Sequence, residues 1–229
     1  MDNKQLAIDN TLLHAAADGR QLPVVRWLAH FFSFILHPLF IPVYVIGFLL
    51  AFHPTYFSGF GKDLKISLLF TTFLNTVFFP AFAVLLMKGL GFIKSVYLDS
   101  QQDRIGPYLA NMIFYFWAAR VFFKFTIELN PVLPSFMTGI FVTTIVGLIS
   151  NIYFKISMHA MGAGGLVGIF IIIMRSNTML MTWPLCIALL IAGIVCTSRL
   201  IVSDHTPKEI YIGLLAGLLC QFVAAVIII

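Results

Sequence analysis

Long apolar runs separated by short polar segments dominate the chain. A membrane-spanning helix needs about 20 apolar residues to cross roughly 30 Å of hydrocarbon. Runs close to this length occur at Trp27–Phe52, Ile66–Met87, Tyr108–Phe125, Phe136–Tyr153, His159–Met174, Met179–Thr197 and Ile210–Ile229. Pro38 and Pro42 should kink the first run or make it partly re-entrant, because proline interrupts the helical hydrogen-bond ladder. The pattern predicts an all-α transmembrane bundle of about six to seven spans.

The domain organisation follows from the same pattern. No repeat, low-complexity tract or long linker divides the chain, so we expect residues 27–229 to form a single transmembrane bundle domain. Residues 1–26 form a polar segment, for which a short surface helix is one option. The apolar run that follows is too long for the core of a cleavable signal peptide, and none is expected.

Composition and charge support a membrane protein over a soluble one. The chain of 229 residues is 60% hydrophobic and 10% charged, whereas soluble domains carry about 25% charged residues. Its net charge of +5 comes from basic residues scattered between the apolar runs, not from a basic block. This distribution favours lysines and arginines that hold a membrane topology, and we expect no nucleic-acid partner.

Polar residues gather in three of the segments between spans. These are Lys88–Pro107, Lys155–His159 and Ser198–Glu209. Two predicted spans separate each segment from the next, so all three should face the same side of the membrane. The arrangement predicts one site at one end of the bundle, although segments between spans are polar in any membrane protein.

The third segment contains a histidine and a carboxylate at helical spacing. His205 and Glu209 are four residues apart, so they lie on one face if this turn is helical. A carboxylate there would fix the imidazole tautomer and raise its basicity, as a nucleophile or base requires. The planar guanidinium of Arg199 suits phosphate oxygens. The alternative is that these residues only cap helix ends.

The first two segments offer further anion-binding groups. His159 opens a predicted helix, whose N-terminal N–H groups favour an anion, and Ser157 could donate one more hydrogen bond. Arg104 lies near the start of another predicted helix and could bind phosphate or a lipid headgroup. A structural role for His159 stays open, since the small residues Gly162–Gly165 alone would explain close helix packing.

The order and spacing of these residues resemble the signatures of the type 2 phosphatidic acid phosphatase superfamily. Ser198-Arg199, five residues, His205, three residues and Glu209 resemble its third signature, SR-x5-H-x3-D. Ile156-Ser157-Met158-His159 resembles the second, PSGH, and Arg104-Ile105-Gly106-Pro107 is a degraded form of the first, K-x6-RP. The three occur in family order between residues 94 and 209. The resemblance therefore implies a divergent member of that superfamily.

The resemblance also implies a role for each residue. His205 would be the nucleophile that takes the phosphoryl group, Glu209 would orient it, and His159 would protonate the leaving alkoxide. The phosphate oxygens would be held by Arg104, Arg199, Ser157 and Lys94. The family's lysine position, seven before Arg104, holds Tyr97, so Lys94 would have to reach in from a different loop geometry. Met158 and Glu209 stand where the family has glycine and aspartate.

Three functions are compatible with the sequence. The first is a metal-independent phosphatase of a lipid or polyprenyl phosphate or pyrophosphate, which needs both His159 and His205. The second is a catalytically weak or inactive relative that binds lipid headgroups or scaffolds a membrane complex. The third is a small transporter, which should depend on mid-span groups such as Asn75. No metal or organic cofactor is expected, because no carboxylate cluster has metal-ligand spacing.

The sequence also bears on which membrane contains the protein and on which side of that membrane the site lies. The resemblance implies the inner (cytoplasmic) membrane of a bacterium. Nine lysines and arginines lie on the site side and five on the other, which favours a cytoplasmic site. Bacterial family members often have periplasmic sites, so both orientations stay open at the level of sequence, as does the oligomeric state.

Overall fold

The structure, a computed structural model, describes residues 22–52, 59–98, 100–128, 130–176, 181–202 and 205–229. This part of the chain is helical and contains no strands, which confirms the all-α class. Its helices are α1 (Pro23–Ile35), α2 (Ile41–Phe52), α3 (Lys62–Gly89), α4 (Gln101–Thr126), α5 (Val132–Tyr153), α6 (Met158–Ser176), α7 (Thr182–Val202) and α8 (Pro207–Ile228). The surface helix considered for residues 1–26 falls mostly on residues outside the described part.

Five of the described helices, α3 and α5 to α8, are long and apolar enough to cross a membrane. They contain between 18 and 28 residues, and at about 1.5 Å per residue they match the hydrocarbon thickness. Large apolar side chains such as Phe70, Leu190 and Val226 are exposed on their outer surfaces. Water would not tolerate so much exposed apolar surface, whereas lipid does. The chain is an integral membrane protein.

The first apolar run forms two short helices instead of one span. Helix α1 ends at Ile35, and the turn 36–40 contains Pro38, which disfavours helical backbone at the residue before it. At 13 and 12 residues, α1 and α2 are each too short to cross a membrane alone. The interruption predicted from the two prolines is therefore a tight turn, and His37 lies in it.

Helix α4 starts earlier than the predicted third span. The Ser100 hydroxyl accepts a hydrogen bond from the Asp103 amide at 3.0 Å, so the helix begins at Gln101 and not at Tyr108. Arg104 consequently lies in the first turn of α4, and Pro107 lies inside the helix. Helix α4 is not among the five helices long and apolar enough to cross a membrane, and its charged residues are Asp103, Arg104, Arg120 and Lys124.

Helix α6 lies at the centre of the bundle, since 67% of its residues between Met158 and Arg175 are buried. It packs most closely against α8, where glycines remove the side chains that would hold the backbones apart. A Cβ atom added to Gly164 would overlap the Leu214 carbonyl, and one added to Gly217 would overlap the Met161 carbonyl. This contact fixes the start of α6 relative to the start of α8, and both ends carry candidate site residues.

Candidate functional site

The three polar segments meet at one end of the bundle. Gln101 and Asn151 exchange reciprocal side-chain to backbone hydrogen bonds of 2.8 Å. The Arg104 Nη1 donates to the Ile156 carbonyl at 3.0 Å, which links the first segment to the second. The His205 Nδ1 lies 3.0 Å from the Lys155 carbonyl oxygen, which links the second to the third. Segments about 50 residues apart in the chain are therefore neighbours in the fold.

His205 is held in one tautomer by two acceptors. It precedes α8, whose first turn is closed by a capping box between Thr206 and Glu209. The Glu209 Oε2 accepts the Thr206 amide at 2.9 Å and lies 3.4 Å from the His205 Nδ1. Because this carboxylate and the Lys155 carbonyl can only accept, the Nδ1 must carry the ring proton. The Nε2 is then the nitrogen with a lone pair.

Burial and three neighbouring cations keep the His205 imidazole neutral. Loss of solvation is the largest cause that lowers its pKa to about 4, followed by the positive charges of Arg104, Arg199 and Lys155. The hydrogen bond to Glu209 acts in the opposite direction. At neutral pH the ring is uncharged, so the lone pair on Nε2 is available for bonding.

The two arginines are both buried beside His205. Arg104 donates from Nε to the Leu98 carbonyl at 2.9 Å and from Nη1 to the Ile156 carbonyl. Leu98 has a φ of 55°, unusual for a non-glycine residue, and this conformation accompanies the hydrogen bond from its carbonyl to Arg104. Arg199 lies in the last turn of α7, and its charge reaches His205, His159 and His37. The site is strongly positive.

His159 lies in the first turn of α6, against the end of α1. Its Nε2 is 3.2 Å from the Ser33 carbonyl oxygen. Its ring meets that of His37 at a centroid distance of 4.8 Å and an angle of 84°. The motifs did not identify His37. The available signal was a polar residue directly before a proline inside a 26-residue apolar run.

Two of the predicted phosphate ligands have other contacts. The fully buried Ser157 hydroxyl accepts the Ala160 amide at 3.4 Å, so it caps the start of α6. The Lys94 side chain is exposed, and the Lys94 backbone amide donates to Asp103 at 3.2 Å. The structure thus brings together His205, Glu209, His159, Ser157, Arg104 and Arg199, and it does not bring Lys94 to them. Within the described ranges, no three His, Cys, Asp or Glu side chains form a group that could hold a metal ion.

An apolar cavity of about 390 Å³ adjoins the histidine pair. Its wall near the site includes His37, His159 and Met158, and most of the remaining lining is aliphatic or aromatic. The lining comes from α2, α3, α4, α5, α6 and α8. The polar side chains in the rest of the lining are Tyr108, Asn111, Tyr115, Thr143, Thr144 and Gln221. The site therefore combines a positive end with an apolar chamber.

Comparison with known proteins gives one match. The PAP2 superfamily matches residues 149–228, about a third of the chain. That segment contains His159, Arg199, His205 and Glu209, whereas Arg104 and His37 lie outside it. No curated protein and no solved structure matches the chain.

Proposed function

Taking the chain as a divergent member of the PAP2 superfamily, on its match over residues 149–228, we propose that it is a membrane phosphatase. The substrate would be a lipid or polyprenyl phosphate or pyrophosphate. The reaction would proceed without a metal through a phosphohistidine on His205, at one face of a bacterial cytoplasmic membrane.

The observation that carries this proposal is the state of His205. Its Nδ1 is held by the Lys155 carbonyl and the Glu209 carboxylate, which leaves the lone pair on Nε2. Three positive side chains surround this neutral ring. A nucleophile beside fixed positive charge is what phosphoryl transfer needs, because that reaction depends mainly on positioning and charge stabilisation.

The proposed reaction has two steps. In the first, the His205 Nε2 forms a bond to phosphorus while the bond to the leaving oxygen breaks, and His159 gives that oxygen a proton. In the second, water attacks the phosphohistidine while His159 takes the water's proton, and inorganic phosphate leaves. Arg104 and Arg199 would offset negative charge on the phosphoryl oxygens in both steps. The net reaction consumes one water and yields an alcohol and phosphate.

The adjoining cavity supports a substrate with an apolar tail. It borders His159, where the leaving oxygen would lie, and its lining is largely apolar. A tail in this chamber would be removed from water, and burial of each methylene favours binding by about 0.8 kcal/mol. A phosphate on a membrane lipid satisfies both the positive end and the apolar chamber.

Headgroup binding without turnover is the second candidate, and the first polar segment favours it. Two backbone carbonyls hold Arg104, which is consistent with a structural role. Lys94 is exposed, so one contact implied by the family signature is not available at the site. Such a protein would need its arginines but would not need its histidines.

The test is phosphate release by detergent-purified protein, in a chelator, from a panel of lipid and polyprenyl phosphates and pyrophosphates. We expect the wild type to release phosphate and His205→Ala to lose about 10³-fold or more of that rate. Loss of the proton donor in His159→Ala should lower the rate about 10²- to 10⁴-fold. His30→Ala is the matched control, because His30 is exposed on α1.

Labelled substrate should leave acid-labile phosphate on the wild type and none on His205→Ala. Folded, monodisperse protein that releases phosphate from no substrate would contradict the proposal. So would a His205→Ala variant that keeps its activity. Lipid binding that disappears in Arg199→Gln and persists in both histidine variants would favour the headgroup-binding protein.

A further inference from the structure

The turn between α1 and α2 places an imidazole against the candidate proton donor. His37 occupies this turn, and its Nδ1 accepts the Leu39 amide at 3.3 Å. An amide can only donate, so the His37 Nδ1 is unprotonated and a neutral ring carries its proton on Nε2. The Phe40 amide donates to the His37 carbonyl at 2.9 Å, which closes the turn. The hydrogen bond from the Leu39 amide therefore holds the His37 ring against the backbone of its own turn.

The end of α1 and this turn together contact α6 at three points. The Ser33 carbonyl lies 3.2 Å from the His159 Nε2, and the rings of His37 and His159 are in perpendicular contact. One turn further along α6, Gly162 lacks the Cβ atom that would come within 2.9 Å of the Pro38 side chain. The end of α1 and the following turn thus form a cradle around one face of His159.

This cradle determines which nitrogen of His159 can deliver a proton. A carbonyl oxygen only accepts, so the contact with Ser33 requires a proton on Nε2. A ring that keeps its Nε2 proton on Ser33 can protonate the alkoxide only as an imidazolium, which gives up its Nδ1 proton and becomes neutral. The same Nδ1 then takes the proton of the attacking water. The ring keeps the bond to Ser33 through both steps only if its plane does not rotate.

We propose that His37 is a positioning residue for the proton donor of this site. Its ring fixes the plane of His159 so that Nδ1 stays directed at the leaving oxygen while Nε2 stays on Ser33. The proposal rests on the proposed function, and it adds a residue from outside the segment that matches the PAP2 superfamily. His37 also borders the apolar cavity, so it lies where a phosphate headgroup would meet its tail.

A leaving-group comparison separates positioning from a merely structural role. An alkyl phosphate needs a proton on the departing oxygen, whereas the p-nitrophenolate of p-nitrophenyl phosphate departs readily without one. We expect His37→Ala to lower kcat/KM on a lipid phosphate about 10- to 100-fold, as small displacements of catalytic groups do. The same variant should change kcat/KM on p-nitrophenyl phosphate less than about threefold, because kcat/KM does not include the second step that both substrates share.

Three further variants sharpen the comparison. His37→Phe retains a ring and should recover part of the lost rate. Gly162→Ala should reproduce the loss although it leaves the His37 side chain intact, because the added methyl pushes the turn with Pro38 and His37 away from α6. In a His159→Gln background, His37→Ala should have no further effect, since both act through one group. His30→Ala, on exposed α1 surface, should behave like the wild type.

A measurement without turnover keeps the inference separate from the proposed function. Nitrogen-15 NMR of histidine-labelled protein in detergent reports the tautomer of each neutral ring. Without substrate and at a pH where His159 is neutral, we expect the wild-type His159 signal to show protonation on Nε2 alone, and His37→Ala to show a mixture of tautomers. An unchanged His159 signal in His37→Ala would overturn the inference, whether or not the protein turns over. Equal losses of kcat/KM on alkyl and aryl phosphates would also overturn it.

Discussion

At the scale of single residues, the charge state of His205 decides what this site can do. Burial contributes most to the low pKa of about 4, and the cations add to it from three directions. Arg104 approaches from α4, Arg199 from α7 and Lys155 from the segment before α6, while Glu209 on α8 opposes them. A protonated imidazole has no lone pair on Nε2, so protonation of His205 should abolish activity in acid.

Removal of one cation should shift the acid limb of the pH profile upward. In Lys155→Met the positive charge that disfavours protonation is gone, so the pKa of His205 should rise from about 4 toward its usual value of 6.5. We expect the acid limb of kcat/KM to move to higher pH by roughly one pH unit or less. The measurement is the pH dependence of phosphate release between pH 3.5 and 8.

Lys208→Met is the control for this prediction. Lys208 is exposed in the first turn of α8 and is not among the charges that act on His205. Its removal should leave the limb unchanged. An acid limb that stays in place in Lys155→Met, or moves equally in both variants, would contradict this electrostatic account.

At the scale of elements, the contact between α6 and α8 sets the distance between the two candidate catalytic histidines. His159 is in the first turn of α6, and His205 directly precedes α8. The helices approach so closely because Gly164 and Gly217 face the partner backbones. Small residues permit such contacts between membrane helices, where packing replaces the hydrophobic driving force found in water.

A methyl group in this contact should separate the helices. Gly164→Ala would collide with the Leu214 carbonyl, a backbone atom that cannot move without the helix. We expect overpacking of about 1–3 kcal/mol, seen as a lower apparent Tm in detergent, together with a fall in kcat. Gly193→Ala in α7 is the control, because nothing lies within 4 Å of the added Cβ.

The control should be neutral or slightly stabilising, since alanine favours helix over glycine by about 1 kcal/mol. If Gly164→Ala kept both the wild-type Tm and the wild-type kcat, the close contact would not hold the site together. If both glycine variants lost activity equally, the effect would belong to helices in general and not to this pair.

At the scale of the whole molecule, the bundle encloses a chamber that no single helix could form. Six helices contribute to the wall of the cavity beside His37 and His159. The outer surfaces of the bundle are apolar as well, so the tail of the proposed lipid substrate would have apolar surroundings both in the membrane and in the chamber. The length of the lipid tail should therefore affect KM more than it affects kcat.

A larger side chain in the chamber should discriminate against long tails. Ala81 on α3 lines the cavity, and Ala81→Phe would displace roughly three methylenes, each contributing about 0.8 kcal/mol. We expect KM for long-chain lipid phosphates to rise about 10- to 50-fold, with little change for p-nitrophenyl phosphate. Ala83→Phe, on the same helix but outside the cavity lining, should have no such effect.

Several features could be predicted from the sequence because they depend on local pattern. The apolar runs identified an all-α membrane protein, and the structure confirms it. The break in the first run followed from the two prolines. The pairing of His205 with Glu209 followed from a spacing of four at a helix start, which a capping box then stabilised. The placement of the three polar segments on one side followed from counting spans.

Other features depended on tertiary contacts and were not available from the sequence. Lys94 and Arg104 lie in one polar segment, yet only Arg104 reaches the second segment, because the helix start at Gln101 directs it inward and leaves Lys94 exposed. The sequence offered the Ser157 hydroxyl as a donor to phosphate, and the structure adds that its oxygen accepts a hydrogen bond from the Ala160 amide at the start of α6.

The sequence by itself thus determined the class of protein and the residues that resemble phosphatase signatures, since each is encoded over a few helical turns. It did not determine the spans, because about six to seven were predicted and five of the described helices are long and apolar enough to cross a membrane. Only the tertiary structure decided that His37 contacts His159, which lies 122 positions further along the chain. The same is true of the apolar chamber beside them. Both arise where separate helices pack together, and packing partners far apart in the chain leave no periodic pattern in the residues.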